Sequence, residues 1–253
     1  MILEDIVHNK EREVAERQTA VPLVEMERRA RQADAPRILH FAGQVSVIAE
    51  VKRRSPSKGE FVASLDPAQQ ARSYEAAGAS AISVLTDQHY FGGTFDDLYA
   101  VRNEVSVPVL CKDFLLSSYQ IYEARSHGAD LVLLIVKAID DETLITLQQL
   151  AQDLGMAALV EVHDQHDLAR ALAANATLVG INNRDLDDFH VDLLTTGDLG
   201  PLVPDDVTVV SESGITTRED VERVIEAGAS VVLVGEALMR SDDPGAVIKE
   251  LLG

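Results

Sequence analysis

A single cysteine, Cys111, is all that this chain of 253 residues carries, so no internal disulfide can form. Such sparing use of thiols fits a reducing cytoplasm. No apolar run approaches the roughly 20 residues that cross a bilayer. The segment Met1-Ile-Leu-Glu-Asp-Ile-Val-His-Asn-Lys10 alternates charge with apolar residues and lacks the uninterrupted core of a signal peptide. Cytoplasmic residence is therefore expected. Cations are scarce as well: 22 Lys and Arg stand against 42 Asp and Glu, a net charge of −20. Such a surface repels phosphate backbones and anionic lipid, so neither nucleic acid nor membrane is expected as a partner. An anionic small molecule would need a local cluster of cations. Tryptophan is absent and aromatics make up only 4%, which makes each Phe conspicuous.

Against these absences stands a regular punctuation. Gly or Asn recurs just before apolar runs at Gly78, Asn103, Gly128, Gly155, Asn175, Gly200 and Gly228, at steps of 25, 25, 27, 20, 25 and 28 residues. Helices commonly end on Gly or Asn in the left-handed conformation, and the chain then enters the next strand. The runs that follow, such as Leu131-Val-Leu-Leu-Ile-Val136, are rich in Val, Ile and Leu without polar alternation, as expected of strands covered on both faces. Helix starts are marked by Asp66-Pro67, an N-cap with a first-turn proline, and by Thr216-Thr-Arg-Glu219, which reads as a capping box. Counting the strand at Val45, eight strand–helix units fill residues 45–253. That number closes a (β/α)8 TIM barrel. An open doubly wound sheet is the alternative, but no Gly-rich dinucleotide turn follows the first strand. Residues 1–44 lie outside the repeat. Ile2, Leu3, Ile6, Val7 and Val14 recur at helical spacing and a second amphipathic stretch follows Pro22, so the expectation is an α/β chain of one domain, residues 1–253, with an N-terminal helical extension packed on the barrel.

In such barrels chemistry sits at the carboxyl ends of the strands. The first strand brings Glu50 and Lys52 to one face, since alternate strand residues project together. A loop with cations, hydroxyls and a Gly follows, from Arg53 to Gly59. The third strand ends at Lys112 and the fifth at Glu161, the latter between apolar neighbours. Singly, each is explained by a solvated ion pair, Lys112 with Asp113 for example. Together, two Lys and two Glu at equivalent positions converge on one mouth. Opposed charges in a partly desolvated cup are expected to bring proton donors and acceptors toward neutrality. Ser213-Gly214 and Gly235-Glu236 end the last two strands beside short turns, where a barrel typically holds a phosphate; Arg54 and Ser55 would complete that site from the other side. Phe91 and Phe114 follow strand ends and would stack on an aromatic substrate, with ordinary packing as the plain alternative. His163 and His166 lack a third metal ligand nearby, so a capping or surface role is expected and no metal. Cys111 should face the helix layer as a small apolar residue.

The chain resembles the indole-3-glycerol-phosphate synthase family of tryptophan biosynthesis over nearly its whole length. The motifs that carry the resemblance are Ile48-Ala-Glu-Val-Lys-Arg-Arg-Ser-Pro-Ser-Lys-Gly59, Val109-Leu-Cys-Lys-Asp-Phe114, Leu159-Val-Glu-Val-His163, Gly180-Ile-Asn-Asn-Arg-Asp-Leu186 and Ser211-Glu-Ser-Gly-Ile215. The resemblance implies a carboxy-lyase acting on 1-(2-carboxyphenylamino)-1-deoxyribulose 5-phosphate, closing its ring with loss of carbon dioxide and water. It implies Lys112 as general acid on the carbonyl oxygen and Glu161 as base or acid in later proton movements. Glu50 and Lys52 would assist dehydration. Asn182 and Arg184 would hold the anthranilate part, and Phe91 and Phe114 would flank its ring. Arg54, Ser213, Gly214, Gly235 and the backbone of Glu236 would hold the phosphate. No cofactor is implied, and a monomer is expected. A sugar-phosphate isomerase or epimerase on the same scaffold, or a barrel without catalysis, are the alternatives.

Overall fold

The computed structural model describes residues 2–41, 43–55, 59–60, 65–186 and 189–253. Two helices come first, α1 (Ile2–Ala20) and α2 (Leu23–Gln32). Strand β1 (Ser46–Val51) is followed by a short antiparallel pair, β2 (Arg54–Ser55) and β3 (Gly59–Glu60). The remaining strands are β4 (Ala81–Leu85), β5 (Val109–Lys112), β6 (Leu131–Ile135), β7 (Ala157–Val162), β8 (Leu178–Asn182), β9 (Thr208–Glu212) and β10 (Val231–Val234). Between and after them lie α3 (Pro67–Ala76), α4 (Gln88–Phe91), α5 (Phe95–Glu104), α6 (Ser118–Ser126), α7 (Asp141–Asp153), α8 (Gln165–Ala173), α9 (Leu194–Leu199), α10 (Arg218–Glu226), α11 (Glu236–Arg240) and α12 (Pro244–Leu252). Eight parallel strands close in the order β1-β10-β9-β8-β7-β6-β5-β4. This is a (β/α)8 barrel, as the punctuation predicts.

Strand alternation sorts the core into two layers. Ile48, Leu110, Leu133, Leu159, Val210 and Leu233 fill the barrel. Val47, Ala49, Cys111, Val160 and Val179 face the helices, which places Cys111 where parity puts it. Each fully buried Val, Leu or Ile among them contributes roughly 1.5–3 kcal/mol. That pattern also fixes which strand-end residues look into the mouth.

The helix stops follow the punctuation at five of its seven positions. Gly78, Gly128, Gly155, Gly228 and Asn175 all have positive φ. Asn103 does not; it lies inside α5, whose cap is Val105 in extended conformation, and its amide donates to the Tyr99 carbonyl. Gly200 has φ of −53° and continues helically. A Cβ there would collide with the Ala227 carbonyl, so closeness rather than handedness requires the glycine. Asp66 caps α3 as expected, with Pro67 in its first turn. The capping box of α10 is one residue later than the sequence reading, Thr217 with Asp220, because Thr217 is the residue with the extended cap dihedrals.

The extension reaches across the barrel. Ile6 of α1 belongs to the apolar cluster at the mouth with Phe114 and Leu133. Next, α2 packs along α6. The segment after it is tied down by Arg37, whose backbone N–H donates to Asp130 and whose guanidinium donates to the carbonyls of Val107 and Arg102.

Candidate active site

The mouth holds a cleft of about 890 Å³, its open entrance included. Glu50 and Lys52 reach it from β1, Lys112 from β5, Glu161 from β7 and Asn182 from β8, all by the same inward parity. Leu3 and Ile6 of α1, with Phe91, Phe114 and Phe189, give it an apolar wall. A second cleft adjoins it over the ends of β9 and β10, lined by Gly214, Gly235 and Arg240 and sharing Glu50, Lys52, Lys112, Arg184, Phe189, Ser213 and Glu236 with the first.

Lys112 is the hub. Its Nζ lies 2.7 Å from Glu212 Oε2, 3.7 Å from Glu50 Oε2 and 3.9 Å from Glu161 Oε2. Lys52 donates to Glu50 Oε1 at 2.7 Å. The two rows of this cluster touch backbone where only glycine leaves room. A Cβ on Gly180 would collide with Glu212, and one on Gly235 would collide with Glu50.

Charge in this cup moves mostly away from neutrality, contrary to the sequence expectation. Burial alone would depress the Lys112 ammonium, but Glu212, Glu50 and Glu161 outweigh it and hold it above the ordinary lysine value. Burial likewise pushes Glu50 up, yet Lys52 and Lys112 keep it below the usual carboxylate range. Glu161 is also held low against its burial, by His163, Lys112 and Asn182. Opposite neighbours stabilise charged forms. The carboxylate left over is Glu212: burial, with Glu161 and Glu50 adding to it, raises it to about 7 despite Lys112. So three groups stay charged and one stands ready to exchange a proton.

A family model described as Indole-3-glycerol phosphate synthase matches residues 3–251. The chain belongs to the indole-3-glycerol phosphate synthase family. The protein of that name from Nocardioides sp. is 51% identical, over 100% of this chain and 98% of its own. Its counterpart from Kineococcus radiotolerans is 48% identical, over 99% of this chain and 94% of its own. A crystal structure of 3-hexulose-6-phosphate synthase superposes with a TM-score of 0.66 over 82% of this chain and 98% of that one, at 20% identity. That likeness speaks for the barrel alone.

Within this indole-3-glycerol phosphate synthase fold, most of the residues singled out by sequence meet at the two clefts. Arg54 does not. The β2–β3 pair carries it over α4, where its guanidinium donates to the carbonyls of Gln88, at 3.0 Å, and His89. Both carbonyls belong to the single turn of α4, and that of Gln88 accepts the Gly92 N–H as well. It lines neither cleft. The Ser55 side chain and residues 56–58 lie outside the described residues. Arg184 lies between the clefts, 3.5 Å from Glu236 Oε2, while Arg240 pairs with the other oxygen of Glu236 at 3.1 Å. Ser213 and Gly214 both have positive φ, 66° and 83°, forming a tight turn after β9.

Two residues were missed. Glu212 was seen at a strand end but given no role, since nothing in Ser211-Glu-Ser-Gly214 announces a lysine one hundred positions away. Parity held the signal, because Glu212 follows inward-facing Val210 by two. The surface reading of His163 is overturned: its side chain is only 3% exposed and lies against Glu161. His163 also follows Glu161 by two. Asp164 and Asp167, at the start of α8, accept backbone N–H groups, which is capping chemistry.

Proposed function

We propose that this chain catalyses the indole-3-glycerol phosphate synthase reaction, with its chemistry at Lys112, Glu161, Glu50 and Lys52. The observation that carries this reading is the placement of Lys112: an ammonium within 3.9 Å of three carboxylates, between an aromatic-walled cleft and a glycine-turn cleft. The aromatic ring of 1-(2-carboxyphenylamino)-1-deoxyribulose 5-phosphate suits the wall of Phe91 and Phe114, whose rings stand 6.4 Å apart. Its ring carboxylate suits Asn182 and Arg184. Its phosphate suits the turns at Ser213-Gly214 and Gly235-Glu236, with Arg240 nearby.

In the reaction, the ring carbon bearing the carboxylate bonds to the ribulose carbonyl carbon. The carbonyl oxygen takes a proton from Lys112, which Glu212 at 2.7 Å keeps oriented. The bond to the carboxylate breaks, carbon dioxide leaves, and its electron pair restores the aromatic ring. The new hydroxyl then departs as water, with a proton delivered from the Lys52 side and another taken up by Glu161. Proton donors and acceptors suffice for every step, and the reading includes no cofactor. It further takes residues 1–253 as one domain, and the protein as a cytoplasmic monomer. No helix among the described residues is long and apolar enough to cross a membrane.

The test is incubation with the carboxyphenylamino sugar phosphate in the presence of a chelator and without nucleotide, following indole fluorescence. Appearance of the indole product is expected. Absence of product under these conditions, and with divalent metal restored, would refute the reading.

A further inference from the structure

Beyond the four groups already given roles lies a buried histidine. His163 ends the inward-facing row Leu159, Glu161, His163, and its ring is wedged between two acidic side chains. Nε2 lies 3.2 Å from Glu161 Oε1, and Nδ1 lies 3.7 Å from Asp167 Oδ2. Asp167 is itself held in place: its backbone N–H donates to Asp164, and its carboxylate accepts the His163 backbone N–H at 3.2 Å. A neutral imidazole carries one N–H and can serve one carboxylate. The imidazolium faces both as an ion pair, at distances that neither ring nitrogen closes into an aligned hydrogen bond. Burying two carboxylates against a neutral ring would leave one of them uncompensated, at a cost the imidazolium avoids.

The surroundings sharpen this. Around the pair stand Lys112 from β5, Glu50 from β1, Glu212 from β9, Asn182 from β8, Lys137 after β6 and Asp167 from α8. Lys112 is shared, and it sits closer to Glu212, at 2.7 Å, than to Glu161, at 3.9 Å. Without His163, Glu161 would be a buried carboxylate beside two others with a distant share of one cation.

We propose that His163 is the positioning residue of Glu161: as an imidazolium lodged between Glu161 and Asp167, it holds the carboxylate by charge, keeping it ionised and turned toward the cleft. Burial pulls the imidazole down, but the two carboxylates outweigh it and raise it to about 9. The ring does not touch the reacting atoms; it acts through Glu161. The proposal rests on the reading of Glu161 as a proton acceptor in this reaction.

Removing the cation must raise the Glu161 pKa, so the base form is lost earlier as pH falls. The experiment is the pH profile of kcat/KM, by indole fluorescence, for the wild type, His163→Gln, Asp167→Asn and Glu161→Gln, with thermal melting of each. Alongside it, the imidazole of His163 is titrated by NMR in the ligand-free wild type. In His163→Gln the acid limb should move up by about 1–3 pH units, the range for an opposite charge this close. Asp167→Asn should move it by less. The wild-type ring should remain charged through neutral pH. An unshifted acid limb in a folded His163→Gln would overturn the proposal, as would a ring titrating below neutrality should that variant not fold. Wild-type turnover in Glu161→Gln would instead sink the assignment of Glu161, a different failure from an inactive Glu161→Gln beside an unshifted His163→Gln.

Discussion

Lys10 and Lys112 are both buried lysines held by several carboxylates, yet one is sealed and the other faces a cleft. Lys10, from α1, lies 2.8 Å from Asp87, 2.8 Å from Asp113 and 3.1 Å from Glu13, with 1% of its side chain exposed. Its acidic partners are engaged by other donors as well, although Asp87 Oδ2 makes no aligned hydrogen bond. Asp87 also accepts the N–H groups of Tyr90 and Phe91, and Asp113 accepts from the Thr86 hydroxyl and the Phe114 N–H. Lys112 has 16% of its side chain exposed, and Glu212 Oε1 beneath it has no hydrogen-bond partner among the described residues. Among the described residues each cluster keeps a carboxylate oxygen without a hydrogen bond, so what separates them is access: the Lys10 side chain is closed off, while that of Lys112 opens to the cleft. Lys112 and Asp113 are consecutive, so strand alternation sends one to each cluster. That alternation is why the solvated Lys112–Asp113 pair considered from sequence does not form.

The contrast can be broken first at its sealed end. Lys10→Met leaves two buried aspartates without their cation, and breaking a buried pair this way costs about 3–5 kcal/mol. Urea unfolding should register a loss of that size. A loss below about 1 kcal/mol would mean that the cluster is not what binds α1 to the barrel. At the open end the expectation reverses. Lys112→Met should lower kcat by at least ~100-fold, the share of a positioned general acid, with little change in melting temperature. Turnover near that of the wild type would remove Lys112 from the chemistry. A melting loss as deep as that of Lys10→Met would erase the distinction between the clusters. A smaller effect tests the cleft's geometry without touching its charges. Gly235→Ala puts a methyl into Glu50 Oε1 and 3.1 Å from Lys52 Nζ, forcing their pair aside. Displacements near 1 Å at a reacting centre cost up to about 100-fold, so kcat/KM should fall by roughly 10-fold or more. An unchanged rate would show that Glu50 and Lys52 need not stand where they do.

How much of this was legible follows from which forces are local. Apolar runs and the stops at Gly78, Gly128, Gly155, Asn175 and Gly228 write the barrel into the sequence, because strand burial and helix termination depend on near neighbours. The period of two then places Glu50, Lys52, Lys112 and Glu161 on the inward face. Pairing is what sequence hides. Arg54 was expected at a phosphate, and a hairpin of two-residue strands turned it to the carbonyls of Gln88 and His89 instead. Lys10 drew no reading at all, although it falls in line with buried Ile6 and Val14 at intervals of four. A lysine inside an apolar stripe was the available signal. His163 stands two steps beyond Glu161, already assigned to the mouth, so counting on would have found it; Glu212 needed the inward face of Val210, which the apolar run alone does not reveal.

The finest test of the open cluster is a slope rather than a loss. Glu212 keeps its proton to about 7 in the folded protein, chiefly because burial penalises its charged form, whereas the exposed group in the unfolded chain titrates near 4.5. Between those two values the folded state binds more protons than the unfolded one, so wild-type stability must fall as pH rises through that window. Below about 4.5 both states are protonated, and above about 7 both are ionised, so the slope is confined to the interval. Glu212→Gln does not titrate and loses this contribution. The stability difference, variant minus wild type by urea unfolding, should therefore grow steadily from about pH 4.5 to pH 7 and flatten above it. The lost contact with Lys112 adds an offset, which moves the whole curve without bending it. A difference that stays flat across the window would mean that Lys112 keeps Glu212 fully ionised, and that the open cluster is as firmly paired as the sealed one.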